Sequence, residues 1–289
     1  MSDIIKLKER ARIVKAIRDF FDKLGFTEVE TAVRIPAPAP EEHIDCPPCK
    51  DGGFLRASPE LQMKKLLAEG MDKIYQIGPC FREGELGSRH NPEFTMIEWY
   101  RKDASYLDIK EDLKQLFLHL SLNTYPLSFR ELTVREAYLK FAQWDPWESF
   151  DQDRFDFDMA TKIEPALKEM GDPVFLMDYP PECASLARLS TRHSALGTYD
   201  VAERWEFYYD GMELANCFSE LCDEAEQRRR FAKAKENRRA LGESDYPLDE
   251  AFFKCLPEMG MASGVALGVD RLIVVLTGAK TIQEVRADV

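Results

Sequence analysis

The chain has 289 residues, of which 45% are hydrophobic and 11% aromatic, enough to build a sizeable core and to exclude disorder as a description of it. Its 39 Lys and Arg set against 52 Asp and Glu leave a net charge of −13; that balance argues against a primary nucleic-acid binder, whose affinity rests on phosphate contacts, and against an anionic membrane surface as partner. No apolar run approaches the roughly 18 residues that span a bilayer, the N-terminus is charged from the start, and seven scattered cysteines fit free thiols in a reducing cytoplasm better than a disulfide framework.

In chain order, Ile4, Leu7, Ala11, Val14, Ile17 and Phe21 recur at helical spacing, and Gly25 follows as a stop, so residues 4–24 read as a helix. Residues 26–35 read as a strand. A proline-rich loop runs from Pro36 through Pro48, where no regular element fits. Phe54–Arg56 reads as a brief strand, and Pro59–Ala68 as a helix with Ser58 as N-cap and Pro59 at the first position. Residues 73–82 and 94–102 are strand-like runs joined by the polar loop Glu83–Glu93. Residues 105–120 form an amphipathic helix, and 131–170 read as mostly helical. Val174–Met177 is a strand. Val201–Tyr209 and Met212–Glu220 flank Asp210-Gly211, the strongest hairpin signal in the chain. Glu224–Leu241 is a charged helix. Gly264–Gly268 reads as a strand leading into a helix, Val269–Leu276, which Gly278 ends. Hairpin strands with helices gathered between them predict an α+β fold, an antiparallel β-sheet flanked by helices. No βαβ unit and no glycine-rich phosphate loop is present, so ATP, if bound, is not bound as in a P-loop or Rossmann protein.

Four constellations carry chemistry. Strand alternation puts Phe94, Met96, Glu98 and Tyr100 on one face and Thr95, Ile97 and Trp99 on the other. A carboxylate beside a phenol suits an ammonium group, Phe94 suits a planar base, and Arg82 with Arg89 and His90 at the loop mouth suits a polyphosphate or carboxylate; the alternative is a solvated hairpin tip. In the Asp210-Gly211 hairpin, Tyr208 pairs with Glu213 and Glu206 with Ala215, so Glu206 and Glu213 share a face, where two like charges call for a cation such as Mg²⁺ between them. Asn216 and Glu220 join that face only if a bulge lies between Glu213 and Asn216; alternatively the two glutamates are simply solvated. Small residues from Gly264 to Gly268 permit close approach of a ligand, and Arg271 in a first helical turn, disfavoured by the helix dipole, points to an anion. Cys46 and Cys49 form a lone CxxC pair, either inert loop thiols or half a metal site.

Together these residues resemble the catalytic domain of the class II aminoacyl-tRNA synthetases. Gly25–Thr31 is similar to motif 1, which forms a dimer interface in that family, Phe81-Arg82 with Arg89–Glu98 to motif 2 in its lysine-specific form, and Gly264–Arg271 to motif 3. Glu213-Leu-Ala-Asn216 and Phe218-Ser-Glu220 match the lysine branch. Glu98–Arg101, Ala184–Ala187 and Gly264–Gly268 are similar to the subgroup that lysylates elongation factor P. Ala266 stands where lysyl-tRNA synthetases usually have glycine, and alanine there is associated in that subgroup with β-lysine.

The resemblance implies one catalytic domain over residues 1–289 without an anticodon-binding domain, a homodimer, and a cytoplasmic ligase. It would activate lysine or β-lysine with ATP and transfer it to a lysine of elongation factor P, with no tRNA or membrane partner. The other readings are a truncated lysyl-tRNA synthetase and a non-catalytic paralogue that binds lysine or ATP. Implied roles are catalysis for Arg82 and Arg271, which would hold the α- and γ-phosphates. ATP contacts would come from Glu83, His90, Asn91, Phe94, Glu213, Leu214 and Gly268. The amino acid would be bound by Ser58, Pro59, Glu60, Glu98, Tyr100, Asn216, Glu220 and Ala266. Mg²⁺ would be bound by Glu206 and Glu213. The chain departs from the family pattern at Ala32, where motif 1 has proline; at Gly84, where motif 2 has a glutamate for which Glu83 or Glu85 would substitute; and at Cys217, which replaces a glycine. The 36–49 loop has no counterpart in the pattern.

Overall fold

The computed structural model describes residues 4–120 and 128–287. Its elements in chain order are α1 (Ile4–Lys23), β1 (Thr27–Glu28), β2 (Arg34–Ile35), β3 (Phe54–Leu55), α2 (Glu60–Ala68), β4 (Lys73–Phe81), β5 (Glu93–Lys102), α3 (Tyr106–Leu120), β6 (Arg130–Thr133), α4 (Val134–Ala137), α5 (Gln152–Asp158), α6 (Glu164–Glu169), β7 (Val174–Tyr179), β8 (Leu189–Ser194), β9 (Gly197–Tyr209), β10 (Met212–Ser219), α7 (Glu224–Leu241), α8 (Glu250–Met259), β11 (Ala262–Gly268), α9 (Val269–Thr277) and α10 (Ile282–Val285). The chain divides into two compact units, residues 1–104 with 222–289, and residues 105–221.

In the first unit, β4 pairs antiparallel with β5, and β5 with β11. The 26–35 stretch is not one strand: β1 runs parallel to β4, whereas β2 pairs with β3 in a separate two-stranded sheet. Helix α1 covers one face of the sheet because its apolar stripe, Ile13, Ile17, Phe20 and Phe21, is buried. Phe21 stacks on Tyr75 of β4 at 4.9 Å and meets Trp99 of β5 at 5.1 Å. Burying such a ring stabilises the fold by roughly 1.5–3 kcal/mol. Trp99 therefore belongs to the core face, as strand alternation requires, and Glu98 and Tyr100 to the other. Asp270, buried in the first turn of α9, fastens the layers: it accepts from Arg10 of α1, from the Thr95 backbone N–H of β5, and from Arg286.

The second unit has the order β10-β9-β7-β6, with β8 also on β9. The β9–β10 hairpin turns at Asp210 and Gly211, both with positive φ (+50° and +68°), as a two-residue turn between right-twisted strands demands. The β6–β7 pair is parallel, so the sheet pairing is mixed rather than purely antiparallel. Tyr138, stacked on Phe155 at 4.6 Å, centres a core that includes Val134, Leu167, Leu176 and Tyr208. The 131–170 region is mostly helical, as expected, apart from strand β6 at its start and a loop over 143–151, and carries two short π-helical turns, Tyr138–Ala142 and Met159–Ile163.

Candidate active site

Site residues of the first unit lie on the β5 face opposite α1. Glu98 is fully enclosed, and both its oxygens are engaged: Ser58 Oγ donates to Oε1 at 2.6 Å, and Tyr100 Oη to Oε2 at 2.8 Å. Burial and the neighbouring Glu60 push its carboxyl up to about 7, against the opposing pull of Ser58, Tyr100 and Lys64. Helix α2 begins at Glu60, one residue later than the sequence reading places it, and Pro59 at its N-cap makes no side-chain cap bond. Ser58 Oγ does accept from the Glu60 N–H, at 2.9 Å, so one hydroxyl starts the helix and spends its proton on Glu98.

The floor beneath this group is β11. Its register sets Gly264 opposite Tyr100, Ala266 opposite Glu98 and Gly268 opposite Met96. A Cβ on Gly264 would come within 2.1 Å of the Tyr100 ring, so the glycine there is a packing requirement. Arg56 is fully buried and donates to Thr31 and to the Pro79 carbonyl, which fixes the approach to Ser58. Gly78 leaves room for it, since a Cβ would stand 2.7 Å from the guanidinium.

At the β4–β5 end, the Arg82 guanidinium lies over the Phe94 ring at 5.1 Å and reaches Glu85 at 3.4 Å. Its Nε is buried and makes no hydrogen bond, a donor suited to a phosphate or carboxylate oxygen. Arg271 donates to the Arg89 carbonyl and lies 2.6 Å from His90 Nε2; partial burial and that guanidinium depress the His90 pKa, so the imidazole is neutral and accepts. Asn91 Nδ2 donates to the Glu93 carbonyl, pinning the loop end. Glu83 is exposed and its N–H is held by the Asp45 carbonyl. Gly84 has φ +78°, a conformation a glutamate would adopt only under strain, which accounts for the departure there; Glu85 is committed to Arg82, leaving Glu83 as the exposed acid.

The 36–49 loop is latched. Arg238 of α7, with no exposed side-chain surface, donates to Asp45 at 2.6 Å and to the Glu41 and Ile44 carbonyls. Tyr246 Oη donates to Asp45 and accepts from the Cys46 N–H. Loop residues Pro38, Glu41 and Ile44 line a cavity with Ser58 and Glu60. Cys46 is buried, and burial raises its thiol to about 11, which makes it inert. All seven cysteines are free. Among the described residues no group of three or more His, Cys, Asp or Glu could hold a metal.

In the second unit the expected bulge is present. Glu213 pairs with Tyr208, but Ala215 pairs with Phe207 and Asn216 with Glu206, leaving Leu214 out of register with β9. Glu206, Glu213 and Asn216 therefore share one face. Glu206 does not pair with Ala215, because the bulge intervenes. Nor is Glu206 bare: Arg204, two residues before it, donates to Glu206 Oε1 and to Asn216 Oδ1, while Tyr208 Oη donates to Glu206 Oε2 at 2.6 Å. The cation that the like charges call for is thus supplied, on the Glu206 side, by Arg204. Each bonded carboxylate oxygen keeps a further lone pair, so this face fits a Mg²⁺ that arrives with its phosphates rather than a preformed metal cage. Glu220 is buried and bridges to Ala187, where Ser185 takes φ +47° in a tight turn. Cys217 pairs with Trp205 and is fully buried on the opposite face, so this departure does not touch the substrate side.

Sequence reasoning missed Lys64, Arg204, Arg56 and Arg238. Lys64 stands one helical turn from Glu60 and Arg204 one strand period from Glu206, spacings at which side chains meet.

The family model for tRNA synthetases class II (D, K and N) matches residues 2–287. The chain is 37% identical to the elongation factor P–(R)-β-lysine ligase of Hamiltonella defensa, over 98% of this chain and 94% of that one. It is 36% identical to the ligase of the same name from Proteus mirabilis, over 99% and 95%, and 38% identical to that of Edwardsiella ictaluri, over 98% and 94%.

Proposed function

The chain belongs to the class II tRNA synthetases of the D, K and N type, and from that premise we propose that it is an ATP-dependent ligase that activates lysine or (R)-β-lysine and transfers it to a lysine of elongation factor P. The observation that carries the amino-acid side of this reading is the enclosed Glu98, held by Ser58 and Tyr100 beside Glu60. An apolar side chain there would leave a buried carboxylate unpaired, whereas an ammonium satisfies it.

In the first step the substrate carboxylate attacks the α-phosphorus, the bond to the β-phosphate oxygen breaks, and pyrophosphate leaves. Arg82 holds the carboxylate and α-phosphate, Arg271 the γ-phosphate, and Phe94 stacks on adenine; Glu83, His90, Asn91 and the Leu214 and Gly268 backbone complete the ATP contacts. Charge neutralisation and alignment do the work without a protein nucleophile. Ser58, Pro59, Glu60, Tyr100, Asn216, Glu220 and Ala266 bind the amino acid. Mg²⁺ would be held by Glu213 and Glu206 together with ATP and would neutralise the phosphates when bound. In the second step the neutral amine of the acceptor lysine attacks the acyl carbon, and AMP leaves. We place the reaction in the cytoplasm, with a homodimer as the working form and no tRNA substrate. Among the described residues no helix is long and apolar enough to cross a membrane.

The test is ATP–pyrophosphate exchange with a panel of amino acids, followed by incubation with elongation factor P and intact-mass measurement. Exchange with lysine or β-lysine and a gain of one lysyl unit are expected. Parallel reactions with each pure isomer separate the two, which have equal mass. Charging of bulk tRNA would redirect the assignment to a lysyl-tRNA synthetase, and tight ATP binding without exchange to a non-catalytic paralogue.

A further inference from the structure

One turn along α2 from Glu60, Lys64 turns its ammonium back onto Glu60 Oε1; its side chain is 1% exposed. The adjacent Lys65 goes elsewhere, to Asp249 at the start of α8, so the two lysines of this helix serve different partners. Lysine is almost never fully buried, and desolvating an ion pair seldom adds stability over an apolar pair of the same size, so packing alone gives no reason for Lys64. Its surroundings do. Glu98 has Glu60 as its main like-charge neighbour, and Lys64 is the cation that acts against that repulsion. Two carboxylates sharing a dry site without a cation hold a proton between them, and a protonated Glu98 is a poorer acceptor for a second ammonium.

We propose that Lys64 is a specificity-determining positioning residue: a built-in ammonium that holds Glu60 in place and offsets its repulsion of Glu98, which favours the ionised form of Glu98 in the empty pocket. The set Glu60, Glu98 and Lys64 then carries one net negative charge, the complement of a substrate with two ammonium groups and one carboxylate. A neutral-side-chain amino acid leaves that charge uncompensated, so Lys64 sharpens selection without touching the reacting atoms. The inference rests on the reading of this pocket as the amino-acid site.

The experiment compares the wild type with Lys64→Met, which removes the charge at similar volume, and Lys64→Arg, which keeps it, in ATP–pyrophosphate exchange across pH 6–9. For Lys64→Met the KM for the amino acid is expected to rise about 100-fold, the loss typical of breaking a buried ion pair, while the KM for ATP stays near the wild-type value. The rise of kcat/KM with pH, which follows ionisation of Glu98, moves to more alkaline pH. Lys64→Arg recovers the wild-type pH profile. A lysine with a merely structural role would lower activity at every pH without moving that profile. Thermal unfolding and ATP binding verify folding, and Lys64→Gln replaces the Met variant should that one not fold. If the wild type exchanges with lysine or β-lysine and neither the KM nor the pH profile of the charge-removing variant changes, the inference is overturned and the site reading stands. If the wild type exchanges with neither amino acid, the site reading falls and the inference with it.

Discussion

Tyr100 can donate to Glu98 only because nothing stands behind its ring, and the residue behind it is Gly264. Gly264→Ala would force the ring off its position, and the displaced hydroxyl would leave Glu98 Oε2 without its donor. We expect a loss of about 10- to 100-fold in kcat/KM for lysine, from a few kcal/mol of overpacking and a lost buried hydrogen bond, with ATP binding unchanged; steady-state exchange kinetics check both. At this scale much of the site was legible. Alternation alone assigns Glu98 and Tyr100 to one face and Trp99 to the core, and the structure agrees. Lys64 and Arg204 were not legible, because a cation one period from a carboxylate also describes most surface ion pairs. Only burial, 1% for the Lys64 side chain and 17% for that of Arg204, separates them from that background.

The 36–49 loop has little regular structure but a built-in anchor. Arg238 satisfies two loop carbonyls and Asp45 at once, so Arg238→Met removes this donor from both carbonyls and leaves Asp45 with Tyr246. The expected result is a KM for the amino acid raised about 10-fold or more, because the loop walls the cavity that contains Ser58 and Glu60, together with faster proteolysis within residues 36–49; limited proteolysis and exchange kinetics measure the two effects. Long periodic elements were readable: α1, α3, α7 and the β4–β5 pair lie within a residue or two of their sequence bounds, and the Asp210-Gly211 hairpin turns where expected, although its first strand starts four residues earlier, at Gly197. Elements without a local signature were not. The β8–β9 hairpin turns through Ala195-Leu196, with Ser194 opposite Gly197, and has neither Asn-Gly nor Asp-Gly to announce it. Helix α8 carries Pro257 inside its last turns, where a proline reads as a break, yet Asp249 caps its start and Phe252, Phe253 and Leu256 bury its apolar face. The parallel pairings of β1 and β6 depend on partners distant in sequence, which periodicity cannot name.

For the molecule as a whole, the net charge of −13 acquires a direction once the arginines are located. If Arg82 and Arg271 hold ATP as proposed, the acidic excess outside that site would suit a protein acceptor with basic residues around its target lysine. We expect kcat/KM for elongation factor P to fall about 10-fold between low salt and half-molar salt, as steered association does, while amino-acid activation, which takes place in a buried pocket, changes much less. Stopped-flow or initial-rate measurements across a salt series distinguish the two. Equal salt sensitivity of both steps would contradict the electrostatic account.

The extra residue in β10 has a consequence for how this enzyme is to be dissected. Leu214 sits outside the β9 ladder, and its proposed part in binding ATP belongs to peptide atoms shared by every amino acid. Alanine there would report the packing of the buried Leu214 side chain and say nothing of its peptide atoms. A one-residue deletion would instead remove the irregularity and leave Glu213 and Asn216 on their common face. The irregularity itself is written in chain length, and comparisons that score only substitutions do not see it.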